Sequence, residues 1–186
     1  MKKSLFALVF AILVGGLLGS SLFADDNRDT LVRFRGGIGV IPVSNVSGTQ
    51  NANGSFPDVT RNVVRNINPA GQLWVIDKLE ARVKTDGGIQ VVGRGLILGG
   101  GNNAGRATGQ SVFATLICEA AAPFTERSTD TDGVPLSPEG NFKINDVLSP
   151  WPPPLGVCAS PMLLIRNAPG GTWFAVGILR SDSKSD

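Results

Sequence analysis

Two cysteines, Cys118 and Cys158, have the most definite chemistry in this sequence because they are its only cysteines. Both follow an N-terminal segment typical of exported proteins, and an oxidising compartment favours disulfide formation. We therefore predict a disulfide, which closes a loop of about 40 residues and stabilises the fold by roughly 4 kcal/mol. A free reactive thiol is the alternative, but the sequence has no histidine to activate it and no C-x-x-C spacing.

Acidic residues form a second candidate group. The segment Ser128–Gly133 reads STDTDG, and an acid follows it after five residues, almost the order of a calcium-binding loop. The candidate ligands are Asp130, Asp132 and Glu139. Ser128 replaces the first carboxylate, however, and Pro135 and Pro138 prevent the helix that carries the last ligand in such loops. A polar loop between strands is the favoured interpretation, and calcium binding is the alternative.

A glycine-rich and asparagine-rich segment, Gly99–Gly105, invites comparison with phosphate-binding loops. Those loops precede a helix, whereas a strand is predicted to follow this segment and no Gly-Lys-Ser/Thr triplet occurs. We therefore predict a flexible loop whose polar side chains could bind a ligand such as a sugar. The side chains concerned are Asn102, Asn103, Arg106 and Gln110.

Trp151 stands among four prolines, where its ring cannot simply alternate into a sheet. An exposed indole is a common anchor for a polymer or protein partner, so Trp151 is a candidate partner-binding residue. The favoured interpretation is that the ring folds back over the end of the sandwich.

The complete absence of histidine limits the catalytic chemistry open to the chain. It excludes histidine proton relays to serine or cysteine and metal sites built on histidine ligands, and we expect no cofactor. The sequence therefore favours a non-catalytic binding or structural module. Two carboxylates could still act as acid and base, so a hydrolase of an extracellular or envelope polysaccharide is the alternative.

Short apolar or β-branched runs, separated by glycine and proline, predict about nine strands and an all-β fold. Alternation in Leu79–Lys84 predicts a strand with one buried face, and Asp86-Gly87-Gly88 predicts a hairpin to the next strand. Ser111–Cys118 is apolar on both faces, as a central strand would be. Gly36-Gly37 predicts a bulge, and Val134–Leu136 with Phe142–Ile144 predicts a second hairpin.

Such strands and a long-range disulfide favour a two-sheet antiparallel β-sandwich, because one open sheet would leave an apolar face uncovered. The stretch from Leu136 through Gly140–Ile144, together with Pro161–Arg166, resembles the hairpin-and-return pattern of immunoglobulin-like and transthyretin-like secreted sandwiches. The resemblance implies an architecture and carries no function.

The N-terminus has the order of a secretory signal: Lys2-Lys3, an apolar run over Leu5–Leu18, and small residues before Ala24. We predict a signal peptide over 1–24, a β-sandwich domain over 25–180 and a disordered polar tail over 181–186, with an uncleaved anchor as the alternative. The product would be secreted or periplasmic in a bacterium, without stable membrane association after cleavage.

Two lysines of the signal account for the whole net charge of +2, so the rest of the chain is neutral. A neutral surface does not attract a phosphate backbone over long range, and we expect no nucleic acid partner. The expected partner is a protein or a polysaccharide of unknown identity.

Overall fold

The computed structural model describes residues 29–153 and 156–180. Over these ranges the chain is all-β, with thirteen strands in antiparallel sheets. The strands are β1 (Thr30–Gly39), β2 (Val43–Ser47), β3 (Asp58–Arg61), β4 (Trp74–Val75), β5 (Lys78–Lys84), β6 (Gly88–Arg94), β7 (Ile97–Leu98), β8 (Ser111–Ile117), β9 (Arg127–Ser128), β10 (Val134–Pro135), β11 (Phe142–Val147), β12 (Met162–Asn167) and β13 (Trp173–Leu179). The predicted signal peptide and polar tail lie outside the described residues. Within the described ranges, no helix has the length and apolar character needed to cross a bilayer.

The main sheet has the strand order β10-β8-β12-β13-β1-β5-β6-β11, with β9 also paired to β8. It is nearly barrel-shaped, because its two ends are joined beyond the regular ladders. Ser128 of β9 and Ser149, just after β11, exchange two backbone hydrogen bonds of 2.8 and 2.9 Å. A sheet that curls back in this way covers its own apolar face, so the predicted two-sheet sandwich is not confirmed. Two small sheets, β2-β3 and β4-β7, accompany it.

The alternation predicted for Leu79–Lys84 is confirmed in β5. Leu79, Ala81 and Val83 are buried in the core, while the intervening side chains are half-buried on the opposite face. The hairpin from β5 to β6 is also confirmed, and Asp86 accepts a 2.8 Å hydrogen bond from the Gly88 amide in its turn. The predicted central strand is β8, which pairs with β12 on one side and with β9 and β10 on the other.

Two expectations about strands need correction. The count of about nine was too low, since the described residues form thirteen strands, several of only two residues that a sequence pattern cannot reveal. The second predicted hairpin was wrong in its pairing. Its turn exists, with the Gly140 amide donating to the Ser137 carbonyl at 2.8 Å, but β10 pairs with β8 and β11 pairs with β6.

Gly93 of β6 offers a test of the packing between β6 and β11. It lies opposite Phe142, and a Cβ added at Gly93 would overlap the Phe142 ring. Gly93→Ala should therefore lower the free energy of unfolding by about 1–3 kcal/mol, measured by urea denaturation. Gly71→Ala is the control, because nothing lies within 4 Å of its added Cβ. Equal stability of the two variants would contradict the described packing.

Candidate functional site

An open cleft of about 500 Å³ lies over β1, β5 and β6, on the sheet face opposite the buried side chains of these strands. Its charged and amide-bearing lining residues are Arg33, Arg35, Glu80, Arg82, Gln90 and Arg180. Within the described chain, four arginines thus face one glutamate. The glutamate, Glu80, also pairs with Lys78 at 3.2 Å on its own strand. Arginine is thus concentrated in this one cleft, although residues 25–186 together are neutral.

Strand register brings three of these arginines side by side. Arg33 of β1 lies directly opposite Arg82 of β5, and Arg82 lies opposite Gln90 of β6. On the other side of β1, the Arg180 amide donates a 2.9 Å hydrogen bond to the Arg33 carbonyl, which places Arg180 next to Arg33. We call Arg180, Arg33 and Arg82 the arginine row. Neighbouring strands are about 4.8 Å apart, so the row spans roughly 10 Å.

Two guanidinium groups of the row converge on one hydroxyl. Arg82 Nε donates to Thr30 Oγ1 at 2.8 Å, and Arg33 Nη2 donates to the same oxygen at 3.5 Å. The shared hydroxyl orients both guanidinium groups, and all three arginines of the row make further interactions within the chain. Planar guanidinium groups held in this way are suited to bind carboxylate, sulfate or phosphate through paired hydrogen bonds.

A second cavity, of about 310 Å³, adjoins the same arginines. Arg33 and Arg180 line both cavities, and the second is completed by residues that include Thr30, Cys158 and Pro161. Cys158 forms the predicted disulfide with Cys118, which follows β8 directly. The disulfide therefore anchors one wall of the second cavity to the centre of the sheet.

Arg65 also holds the wall of the second cavity that contains Cys158 and Pro161, through hydrogen bonds to the neighbouring chain. It lies with Asn66 in a two-residue turn, where both have positive φ, 47° and 69°. Its guanidinium donates to the Ile117 carbonyl at 3.0 Å, to the Ser160 carbonyl at 2.7 Å and to Ser160 Oγ at 2.8 Å. Sequence reasoning missed Arg65, since its partners lie 52 and 95 positions away.

A nearly buried ion pair lies next to the disulfide in the chain, because its acidic member follows Cys118 directly. Arg127 is only 2% exposed, and its Nη2 lies 2.8 Å from Glu119 Oε1. Glu119 Oε2 also accepts hydrogen bonds of 3.2 Å from the amides of Cys118 and Thr125. The hydrogen bond from Arg127 is the main reason that the pKa of Glu119 is lowered to about 2. The carboxylate thus orders the chain from Cys118 to Arg127.

The residues predicted from the glycine-rich loop are not part of this cleft. Asn102, Asn103 and Arg106 are exposed in a turn that closes on β7, where the Gly105 amide donates to the Leu98 carbonyl at 2.8 Å. Gln110 lies beyond that turn, and its side-chain oxygen accepts a 2.6 Å hydrogen bond from Asn167. Their role in ligand binding stays a prediction.

Trp151 folds back over the β5–β6 turn. Its indole nitrogen donates to the Thr85 carbonyl at 3.1 Å, and its half-buried ring packs against Gly87. This is the folded-back position that the sequence analysis favoured over an exposed anchor. Its role in partner binding stays a prediction.

The three calcium candidates lie in two separate turns. Asp130 accepts a 3.0 Å hydrogen bond from the Asp132 amide, whereas Glu139 accepts one of 2.8 Å from Ser137 Oγ in the next turn. No group of three or more acidic, cysteine or histidine residues that could hold a metal ion occurs among the described residues.

A second carboxylate, Asp146, lies beside Asp130 in a small cavity of about 140 Å³. Asp146 accepts 2.8 Å hydrogen bonds from the amides of Asp130 and Val147. These bonds join the loop before β10 to the end of β11, which is a structural role.

The lowered pKa of Glu119 predicts that the free energy of unfolding depends on pH. Its pKa in the folded chain, about 2, is below the ordinary value of 4.5, so its contribution is complete above about pH 5 and is lost as the pH falls towards 2. Glu119→Gln should lower the free energy of unfolding by about 2–3 kcal/mol at neutral pH, and the difference from the wild type should become smaller in acid. Urea denaturation of both proteins at several pH values measures this difference.

Glu139→Gln is the control, because this exposed side chain can still accept the Ser137 hydrogen bond as an amide and should change the stability little. A pH-independent loss in Glu119→Gln would contradict the role of the ionised carboxylate.

No protein-family model matches the chain, and no curated protein or solved structure matches it. The function is therefore inferred from the geometry and charge of the cleft.

Proposed function

We propose that this protein is an exported, disulfide-stabilised binding module, without catalysis of its own, that holds an anionic ligand in the arginine-lined cleft. The single observation that carries the proposal is the arginine row, in which two members donate to one threonine hydroxyl. Guanidinium groups gathered and oriented on one sheet face are a preformed receptor for negatively charged groups.

The carboxylate content of the cleft favours binding over hydrolysis. An acid-pair hydrolase needs two carboxyl groups about 5–10 Å apart on either side of the scissile bond. Among the described residues that line the cleft, Glu80 supplies the one carboxylate. Binding without bond cleavage is therefore the activity that the cleft supports best.

Export is the second part of the proposal. Lys2-Lys3, the apolar run after them and the small residues before Asp25 form the pattern of a cleaved signal. The disulfide is compatible with an oxidising compartment outside the cytoplasm. We place the mature protein in the periplasm or the medium, where acidic polymers and proteins are available as ligands.

Binding of sucrose octasulfate, a compact polyanion, tests the role of the cleft. Arg82→Gln should weaken binding about tenfold or more in isothermal titration calorimetry, because one charge-assisted pair of hydrogen bonds is lost. Arg106→Gln, which removes the same charge from the glycine-rich loop, is the matched control and should bind as the wild type does.

Thermal denaturation of each variant without ligand shows whether the fold is retained. Equal loss of binding in Arg82→Gln and Arg106→Gln would mean that overall charge, and not the cleft, binds the anion. Loss in Arg106→Gln alone would assign binding to the loop.

A further inference from the structure

We infer that a further site, separate from the arginine-lined cleft, binds a neutral sugar unit in a cavity beside Trp74. This Trp74 cavity has a volume of about 240 Å³ and lies between the segment before β4, the segment before β8 and the turn from β12 to β13. Among the described residues, the cavity and the cleft share no lining residue. Phe174, in the cavity wall, lies six positions before Arg180 of the cleft, a distance of about 20 Å along an extended strand.

The indole N–H of Trp74 is the main observation behind this site. Trp74 is 4% exposed, yet its N–H donates to no residue in the part of the chain that the structure describes. Each of the other two tryptophans donates to a backbone carbonyl, Trp151 at 3.1 Å and Trp173 at 3.0 Å. A largely buried indole N–H normally has an acceptor, because folding removes its bonds to water. The Trp74 nitrogen is not sealed from solvent, and Trp74 lines the cavity, so a ligand oxygen there would be its acceptor.

The Trp74 ring is held in place for this role. It stacks on Phe174, with the ring centroids 4.1 Å apart and the ring planes inclined by 13°. Phe174 also lines the cavity and is itself buried. Two stacked rings in a packed core keep the N–H in one direction, so little freedom is lost when a ligand binds.

A pair of amide side chains provides a second donor. Asn167, which is 8% exposed, donates from Nδ2 to Gln110 Oε1 at 2.6 Å and accepts a 2.9 Å hydrogen bond from the Gly170 amide. The Gln110 carboxamide is therefore oriented through its oxygen. Its nitrogen lies 3.5 Å from the Thr108 carbonyl, at the limit of a hydrogen bond. A ligand oxygen can replace this weak partner.

Thr108 adds an observation from the backbone. This exposed residue lines the cavity and has a φ of 53°, a left-handed conformation that is unusual for a β-branched side chain. Such local strain persists only where the surrounding structure imposes it, and it is concentrated at binding and active sites. Thr108 and Gln110 both belong to the loop before β8, where the sequence predicted ligand-binding side chains.

The wall of the Trp74 cavity suits a neutral, hydroxylated ligand. None of its described lining residues is charged, so an anion or cation would find no opposite charge there. Amide and hydroxyl groups both donate and accept hydrogen bonds, as the hydroxyls of a sugar do. The volume is below the roughly 300–1,000 Å³ of sites for drug-sized ligands, which favours a single sugar unit. The polar lining residues are Gln72, Thr108, Gln110, Asn167 and Thr172.

Nuclear magnetic resonance of the tryptophan indole groups tests the inference. The chain has three tryptophans, so the ¹⁵N-labelled protein gives three indole signals, which Trp→Phe variants assign. Glucose, galactose and N-acetylglucosamine are titrated separately in the millimolar range. At least one of them should shift the Trp74 signal to saturation and leave the Trp151 signal unchanged. Glycerol at the same concentrations is the control for a general effect of polyols.

Trp74→Phe removes the indole N–H and keeps an aromatic ring on Phe174. This variant should bind the same sugar about 3- to 10-fold more weakly, because one hydrogen bond to a neutral group is lost. Trp151→Phe is the matched control, since it removes an indole N–H that already has a partner in the chain, and it should bind as the wild type does. Gln110→Glu keeps the oxygen that Asn167 bonds but loses the donor nitrogen, and it should also weaken binding. Circular dichroism and the melting temperature show whether each variant folds.

The outcomes are independent of the proposed function. Wild-type affinity in both folded variants, Trp74→Phe and Gln110→Glu, overturns the site. A shift of the Trp151 signal in place of the Trp74 signal, an equal effect of glycerol, or no shift with any of the three sugars also overturns it. Binding of sucrose octasulfate in the arginine-lined cleft should be unchanged in Trp74→Phe, so the two sites are tested separately.

Discussion

The register of β1 between β13 and β5 is the constraint on which the site depends. On one side it sets Arg33 against Arg82, and on the other it sets Arg33 beside Arg180. The register with β13 shifts between Phe34 and Gly37, and Gly36 in this bulge has a φ of 92°, a conformation that favours glycine. A slip of β1 by one residue would turn its arginines into the core, so the buried Phe34 fixes the same register that builds the arginine row.

A second set of contacts determines the shape of the second cavity, which adjoins the arginine row. The disulfide, the Arg65 hydrogen bonds and the pair of Glu119 with Arg127 all converge on the segment after β8 and the segment before β12. Together they hold the wall that carries Cys158 and Pro161. The disulfide thus has two effects, since it stabilises the fold and also holds one side of the second cavity.

Local features of the fold could be predicted from the sequence, because they depend on neighbouring residues. The alternation in Leu79–Lys84, the hairpin at Asp86, the bulge at Gly36-Gly37 and the disulfide are all confirmed. The curling of the main sheet could not be predicted, because it depends on pairing between segments such as Ser128 and Ser149 that carry no local signal. Of the candidate residues, all of which the structure describes, Cys158 borders this region, in one wall of the second cavity.

The arginine row was missed for the same reason. Arg33, Arg82 and Arg180 each have an ordinary place in or beside an amphipathic strand, and only the order of β13, β1 and β5 brings them together. The short motifs that predict chemistry lie in loops, whereas Arg33 and Arg82 lie within strands. The neutrality of residues 25–186 concealed the site further, because equal numbers of acids and bases say nothing about where the charges lie.

Nuclear magnetic resonance of the arginine side chains tests the central claim most directly. In a titration of the ¹⁵N-labelled protein with a sulfated tetrasaccharide, the Nε–Hε signals of Arg33, Arg82 and Arg180 should shift together and saturate at one ligand concentration. The signal of Arg94, on the same sheet but outside the cleft lining, should stay unchanged. Saturating shifts confined to the glycine-rich loop or to Trp151, with the arginine row unaffected, would contradict the account.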